Sequence, residues 1–416
     1  MNSLPPRFIR RLVLAPITLL ICLACLALSP VLALLAGLYA LLFDHKARVL
    51  RLIAFATIYM FYEVVSILAL LGLWVISGAG LGLQSSRMQA VHYGYMRWWL
   101  ERISRAATRF FRLRIEIEDP PARKPGPVLV FSRHAGPGNS LLLVGTIMIT
   151  FRRLPRIVML AKLQWDPFFD TIGNRLPNRF IRHEPSERDR SFKVIAELAL
   201  GTVGQGTFVL FPEGRDFTYN LRIRAIAHLR KKGHLEEADK AGMMKRMLPP
   251  RHGGVMAAVN AAPDADVVFV AHTVLEDVGP FGELWRRIPF ERPVAARYWR
   301  VPATEVPREE EALIDWLYEW WARIDEWIGH RIDPQDKLIA ILPEKAAEPE
   351  SEIAVEPATE IAGEPESEIA MQPATEIAAQ AVGEIAAEPE TAIAAVPEKE
   401  VPAEAETQTM GSEGGA

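Results

Sequence analysis

The chain has 416 residues, half of them apolar, and a net charge of −4. That near-neutral figure hides an asymmetry: residues 343–416 hold 18 acidic and 2 basic side chains, a charge of −16, which leaves +12 on residues 1–342. A basic folded part suits anionic partners such as phosphate esters, acidic lipid headgroups, coenzyme A or an acidic carrier protein. The sequence argues against nucleic acid as a partner, because it has no paired Cys/His ligands, no aromatic base-stacking pattern and no basic helix of the DNA-reading type. The 2 cysteines, Cys22 and Cys25, both lie in an apolar run, so the remainder of the chain has neither a disulfide nor a thiol nucleophile.

The first predicted element is that run. Residues 12–43 contain no charged side chain over 32 positions, and about 20 apolar residues suffice to span the hydrocarbon core as a helix. A polar link leads to a second apolar run at 52–77, interrupted by Glu63. Together they predict an N-terminal membrane hairpin, residues 1–84. Arg7, Arg10 and Arg11 precede it and Arg97, Arg102 and Arg105 follow it, which places both outer ends, and the domain that follows, on the cytoplasmic face of the cell membrane. Lys46, Arg48 and Arg51 in the link leave open a pair that dips into one leaflet. Glu63 reads either as a polar contact in a substrate groove or as a paired residue between helices.

Residues 85–118 predict a helix rich in Arg, Trp and Phe, lying at the membrane interface or packed on the domain. From about residue 120 short apolar strands alternate with helices. The strands are Val128–Ser132, Arg156–Ala161, Thr207–Phe211, Val267–His272 and Val294–Val301, with helices near 140–150, 190–201, 219–245 and 253–262. The pattern predicts an α/β domain, residues 85–342, with a largely parallel sheet and surrounding helices. A last helix, about 308–330, carries Trp316, Trp320, Trp321 and Trp327 as a core-facing stripe. Residues 343–416 are an acidic Glu/Ala/Pro repeat of eight, interrupted by prolines. Such a repeat buries no core and is expected to be a disordered tail.

Two strand ends carry chemistry. Val128–Ser132 runs into Arg133-His134-Ala135-Gly136-Pro137-Gly138-Asn139-Ser140. A histidine at a strand end before a Gly-Pro-Gly turn is accessible, and Gly136 and Gly138 let a substrate carbonyl approach backbone N–H groups. Histidine titrates in the range needed to take a proton from an alcohol, which is a poor nucleophile without a positioned base. The second strand end is Phe211-Pro212-Glu213-Gly214-Arg215. Neither segment has a metal-ligand spacing, and no cofactor is called for. A Gly-x-Ser-x-Gly nucleophile elbow is also absent.

These blocks resemble the glycerolipid acyltransferase family, typified by 1-acyl-sn-glycerol-3-phosphate acyltransferases. His134 opens the first block, Gly173 through Phe180-Ile181-Arg182 resembles the second, Phe211 to Gly214 the third and Val267–Thr273 the fourth. Lys162 with Pro167 resembles the stretch between the first two. The resemblance covers about residues 90–300. It implies that His134 is the general base on an acceptor hydroxyl, which attacks the thioester of acyl-CoA or acyl-carrier protein as co-substrate. It implies too that Glu213 shapes the acceptor site and that Arg182, Lys162, Gly214 and Arg215 lie where substrate binds. Lysophosphatidic acid is the expected acceptor and phospholipid synthesis the expected setting.

Two departures stand out. Asn139 occupies the fifth position after His134, where the family has Asp. An asparagine there keeps a hydrogen-bond acceptor for the imidazole and loses the negative charge; alternatively it serves as a helix N-cap. Arg215-Asp216 stands where the family has Thr-Arg, which leaves phosphate recognition to Arg182, Lys162 or Arg175, or points to an acceptor such as a glycolipid. The competing expectation is a catalytically impaired relative that binds lipid or acts as a scaffold.

Overall fold

The computed structural model describes residues 4–118, 125–134, 137–181, 188–202, 204–273 and 287–331. The acidic repeat, residues 343–416, lies outside them.

A short α1 (Arg7–Ile9) passes through one wide turn, Arg10–Leu14, into α2 (Ala15–Phe43), and α3 (Arg48–Ile76) returns alongside. Both helices are long and apolar enough to cross a membrane. At 1.5 Å per residue α2 is about 43 Å long, against a hydrocarbon core of about 30 Å. Leu12, Leu20, Leu34, Leu41 and Phe43 point outward, exposed. Both ends of the pair are tied to the globular part. Arg10 donates to Asp170 at 2.7 Å and Arg7 to Asn174 at 2.7 Å. At the turn between the helices, Lys46 pairs with Glu291 at 2.8 Å and Arg48 donates to the Ile288 carbonyl.

Ser85 caps α4 (Ser86–Phe111), its hydroxyl accepting from the Met88 N–H. The helix stops sooner than the expected residue 118 because Arg112 takes a left-handed conformation, φ 56°. The alternating Ile-Glu-Ile-Glu that follows, β1 (Ile115–Glu118), has the two-residue period of a strand. Trp99, Leu100 and Ile103 of α4 are buried in the core, so this helix packs on the domain. α3 packs along it, with Phe55 against Phe111 and Tyr62 against Trp98.

The seven strands form one mostly parallel sheet in the order β1-β7-β6-β2-β5-β3-β4, confirming the α/β expectation. They are β2 (Val128–Ser132), β3 (Leu154–Leu160), β4 (Arg179–Ile181), β5 (Gly206–Leu210), β6 (Asp266–His272) and β7 (Val294–Val301), with β1 at the edge. Strands β6, β2, β5, β3 and β4 run the same way; β7 is antiparallel to β6, and β1 is parallel to β7. The helices between strands are α5 (Pro137–Gly145), α6 (Pro167–Arg175), α7 (Arg188–Leu200), α8 (Tyr219–Lys231), α9 (Leu235–Met243) and α10 (His252–Ala261), and α11 (Glu310–Arg331) closes the fold. The single helix expected over 219–245 is two, broken where Gly233 takes φ 84°.

The central strands are buried on both faces, as parallel strands covered by helices must be. Leu129, Phe131, Phe208 and Phe269 face α7, α10 and α11, where Trp321 is fully buried. Val128, Val130, Val209 and Val268 face the other way, onto α4, α5 and α6. With five strands aligned, their carboxyl ends share one edge, the usual place for a ligand in an open α/β sheet. The ends of β2, β4 and β6 and the segments after β3 and β5 all lie there.

Candidate active site

The turn after β5 organises this edge. Gly214 has φ 70°, a conformation glycine adopts without steric cost, and its N–H bonds back to the Phe211 carbonyl at 3.0 Å. A Cβ at Gly214 would also meet the Arg251 guanidinium at 3.3 Å. The turn drives Glu213 inward to 2% exposure. One carboxylate oxygen accepts from the His134 backbone N–H at 2.8 Å, the other from the Leu248 N–H at 3.2 Å. Burial pushes the Glu213 carboxyl up to about 7; the nearby Arg133 charge and the two N–H donors oppose that shift. Glu213 therefore shapes the site through backbone, by fixing the segment that carries His134.

Arg133 was not singled out from the sequence. It is fully buried and donates to the His272 carbonyl at 3.2 Å and the Arg246 carbonyl at 2.8 Å, stitching β2 to β6 and to the segment before α10. An arginine directly before the candidate base was the available signal.

His134 is held at both backbone groups. Its N–H goes to Glu213, and its carbonyl accepts from the Phe217 N–H at 2.8 Å. Its ring lies against that of Phe211, with centroids 4.6 Å apart. Nδ1 is 2.8 Å from an Asp216 carboxylate oxygen. The two atoms meet at ion-pair distance, but off the line a hydrogen bond requires. The ring nitrogen left for an incoming group is Nε2.

Asn139 does something other than expected. It is the third residue of α5, which begins at Pro137, so it is not the N-cap; proline suits the first helical position. Its amide donates to the Arg133 carbonyl at 2.9 Å and does not bond the imidazole. Gly138 lies exposed in the first turn of α5, where an added Cβ would meet open space, so packing does not demand glycine there. Lys162 is exposed in the 3₁₀ turn after β3, and Arg215 is exposed beside Gly214. Arg182 and Gly136 lie outside the described residues. Arg175 is not available to a phosphate: it is buried and donates to the Leu70 carbonyl at 2.7 Å.

His272 ends β6 at 5% exposure, with neither ring nitrogen hydrogen-bonded. Burial, with the Arg133 charge, holds its pKa well below the ordinary histidine range, so it is neutral. With Asn139 it lines a mostly apolar cavity of about 20 Å³ between α5 and strands β6 and β7, with Leu142, Leu143, Thr146, Val270 and Tyr298. That is room for about one water.

No family model and no curated protein matches the chain. Among solved structures, it is similar to PlsC, the 1-acyl-sn-glycerophosphate (LPA) acyltransferase from Thermotoga maritima. The similarity covers 69% of this chain and 98% of that one, at 16% identity and a TM-score of 0.44. A likeness at that level decides nothing about activity.

Proposed function

We propose that the chain is a membrane-associated O-acyltransferase that moves a fatty acyl group from a thioester donor to a lipid hydroxyl, with His134 as general base. The observation that carries this reading is the mounting of His134. It stands at the carboxyl edge of the sheet, fixed through both backbone groups, with Nδ1 against a carboxylate and Nε2 left over. Three of the sequence blocks that resemble glycerolipid acyltransferases, those holding His134, Phe211 to Gly214 and Val267–Thr273, lie at the ends of the neighbouring strands β2, β5 and β6.

In this reading the acceptor hydroxyl gives its proton to Nε2 as its oxygen attacks the thioester carbon. The tetrahedral intermediate then collapses, the carbon–sulfur bond breaks, and the thiolate recovers the proton. The basic residues Lys162, Arg215 and Arg182 supply charge for an anionic acceptor such as lysophosphatidic acid, or for the phosphates of coenzyme A. The apolar pair α2–α3 holds the site at a lipid surface. Because both ends of the pair and the length of α3 touch the domain, it fits entry into one leaflet better than a full crossing. The domain then sits on the cytoplasmic side.

The test is acyl transfer by purified protein in mixed micelles, using labelled acyl-CoA and acyl-carrier protein as donors. Acceptors are lysophosphatidic acid, other lysophospholipids and a glycolipid. Product that forms with the wild type and disappears with a folded His134→Ala variant supports the proposal. No product from any donor–acceptor pair would favour a lipid-binding protein without catalysis.

A further inference from the structure

Resting on the acyl-transfer reading of this site, we infer that Asp216 is the positioning carboxylate of His134, a role that Asn139 does not fill. The side chain five residues after His134 is committed elsewhere. Asn139 is 2% exposed and its amide donates to the Arg133 carbonyl. A carboxylate in its place would set an oxygen against that carbonyl oxygen, so this local fold calls for a donor at 139. The imidazole meets Asp216 instead, Nδ1 to Oδ1 at 2.8 Å.

Backbone, more than rotamer, sets that meeting. Phe217, next to Asp216, donates its N–H to the carbonyl of His134 itself, which clamps the loop after Gly214 onto the strand end that bears the histidine. Thr218 then caps α8, its hydroxyl accepting from the Leu221 N–H at 3.2 Å, so the loop is anchored on its far side as well. On the near side the Phe211–Gly214 turn fixes it. Compared with the family the chain resembles, the acid is missing from the first block, where Asn139 stands, and an acid, Asp216, stands in the third where the family has arginine.

The chemistry follows from which nitrogen the carboxylate faces. An anion at Nδ1 favours the tautomer with hydrogen on Nδ1, leaving the Nε2 lone pair to act as base. As the acceptor proton moves to Nε2 the ring becomes a cation; Asp216 stays ionised and stabilises it until the departing thiolate takes the proton from Nε2. Among the described residues, the charged and titratable groups near the ring include Asp216 on the loop after β5, Glu213 beneath the backbone, Arg133 at the end of β2 and His272 at the end of β6, with the Arg251 guanidinium beside Gly214. Of these, Asp216 is the one at a ring nitrogen. Its side chain is 47% exposed, so its influence is weaker than that of a buried triad aspartate and is screened by salt.

The experiment is ¹⁵N-histidine NMR of the full-length protein in detergent micelles, with His134 assigned by comparison with His134→Gln. The spectra of wild type, Asp216→Asn, Asp216→Glu and Asn139→Asp are recorded across pH. Asp216→Asn is expected to move the neutral ring of His134 toward the Nε2–H tautomer. Asp216→Glu is expected to restore the wild-type tautomer. In the transfer assay, Asp216→Asn lowers kcat about 10–100-fold with KM within about twofold, a smaller loss than that of a buried triad aspartate.

An unchanged tautomer in Asp216→Asn would overturn the inference, as would a change of tautomer that appears only with Asn139→Asp. The NMR readout needs no turnover. A protein that transfers no acyl group but shows the Asp216→Asn change of tautomer refutes the acyl-transfer reading and leaves the pairing intact.

Discussion

The two ends of the same parallel sheet use polar residues in opposite ways. At the amino end every prominent side chain is tied into scaffold. Arg153 donates to the Thr207 hydroxyl at 2.6 Å and to the Gly206 carbonyl at 2.8 Å, and also reaches the Gly126 carbonyl, joining the starts of β2 and β5. Asp266, first residue of β6, takes Arg300 at 2.6 Å and the Ala303 N–H at 3.0 Å. At the carboxyl end Glu213, Arg133 and Asn139 are also tied to main chain, but the two histidine rings are not. Glu213 and Phe217 fix His134 by its main chain, and the ring nitrogens of His272 carry no bond. Polar groups that secure a fold spend their hydrogen bonds on it, and groups that serve chemistry are held by something other than their working atoms.

The sharpest way to break that contrast is to remove one residue from each end. His134→Ala is expected to lower acyl transfer about 10²–10⁴-fold, the usual worth of a general base, with an unchanged unfolding midpoint. Arg153→Ala should do the reverse. Two carbonyls and a hydroxyl lose their donor, so stability falls by about 2–3 kcal/mol in denaturant titrations while activity per folded molecule holds. If Arg153→Ala lost activity without losing stability, the division between the two ends would be wrong.

Glu213 sharpens the comparison because it is a scaffold residue at the carboxyl end, beside His134. Glu213→Gln sets an amide NH₂ toward one of two backbone donors. A destabilisation of about 1–2 kcal/mol and a lower kcat are expected together, read by unfolding and by initial rates.

The smallest effect is one of pH. Below about 4.5 the Glu213 carboxyl is protonated both folded and unfolded. From there to about 7 it is protonated only in the folded chain. Unfolding then releases a proton, so this group's contribution to stability is present below about 4.5 and lost as pH rises to about 7. The slope is at most about 1.4 kcal/mol per pH unit. It should be missing from Glu213→Gln when the two proteins are unfolded side by side, and a common slope would contradict the burial argument.

The sheet was largely legible in the sequence because its central strands are short apolar runs between helical stretches; Val128–Ser132 and Val294–Val301 match to the residue. Elements that bury little were missed. β4 is three residues long at the sheet edge, and β1, four residues long, follows closely on the aromatic- and arginine-rich α4. α6 was overlooked although Asp166-Pro167 announces it, the aspartate accepting from the Phe169 N–H.

At the site, strand ends and turn glycines identified His134 and Glu213. What Glu213 and Asn139 bond to was not legible, because those partners are main-chain groups, Leu248 N–H and Arg133 carbonyl, that have no residue-type signature. Asp216 was visible only as an oddity. Its approach to His134 depends on the bond between Phe217 N–H and the His134 carbonyl, two residues 83 positions apart in the chain.

The most direct test of acyl transfer at His134 is a single-turnover measurement with labelled acyl-CoA and lysophosphatidic acid, on wild type and His134→Ala preparations matched for folding by thermal denaturation. Labelled diacyl product from the wild type, with none above background from the variant, is the predicted result. Equal product from both would contradict it and take the chemistry away from this histidine.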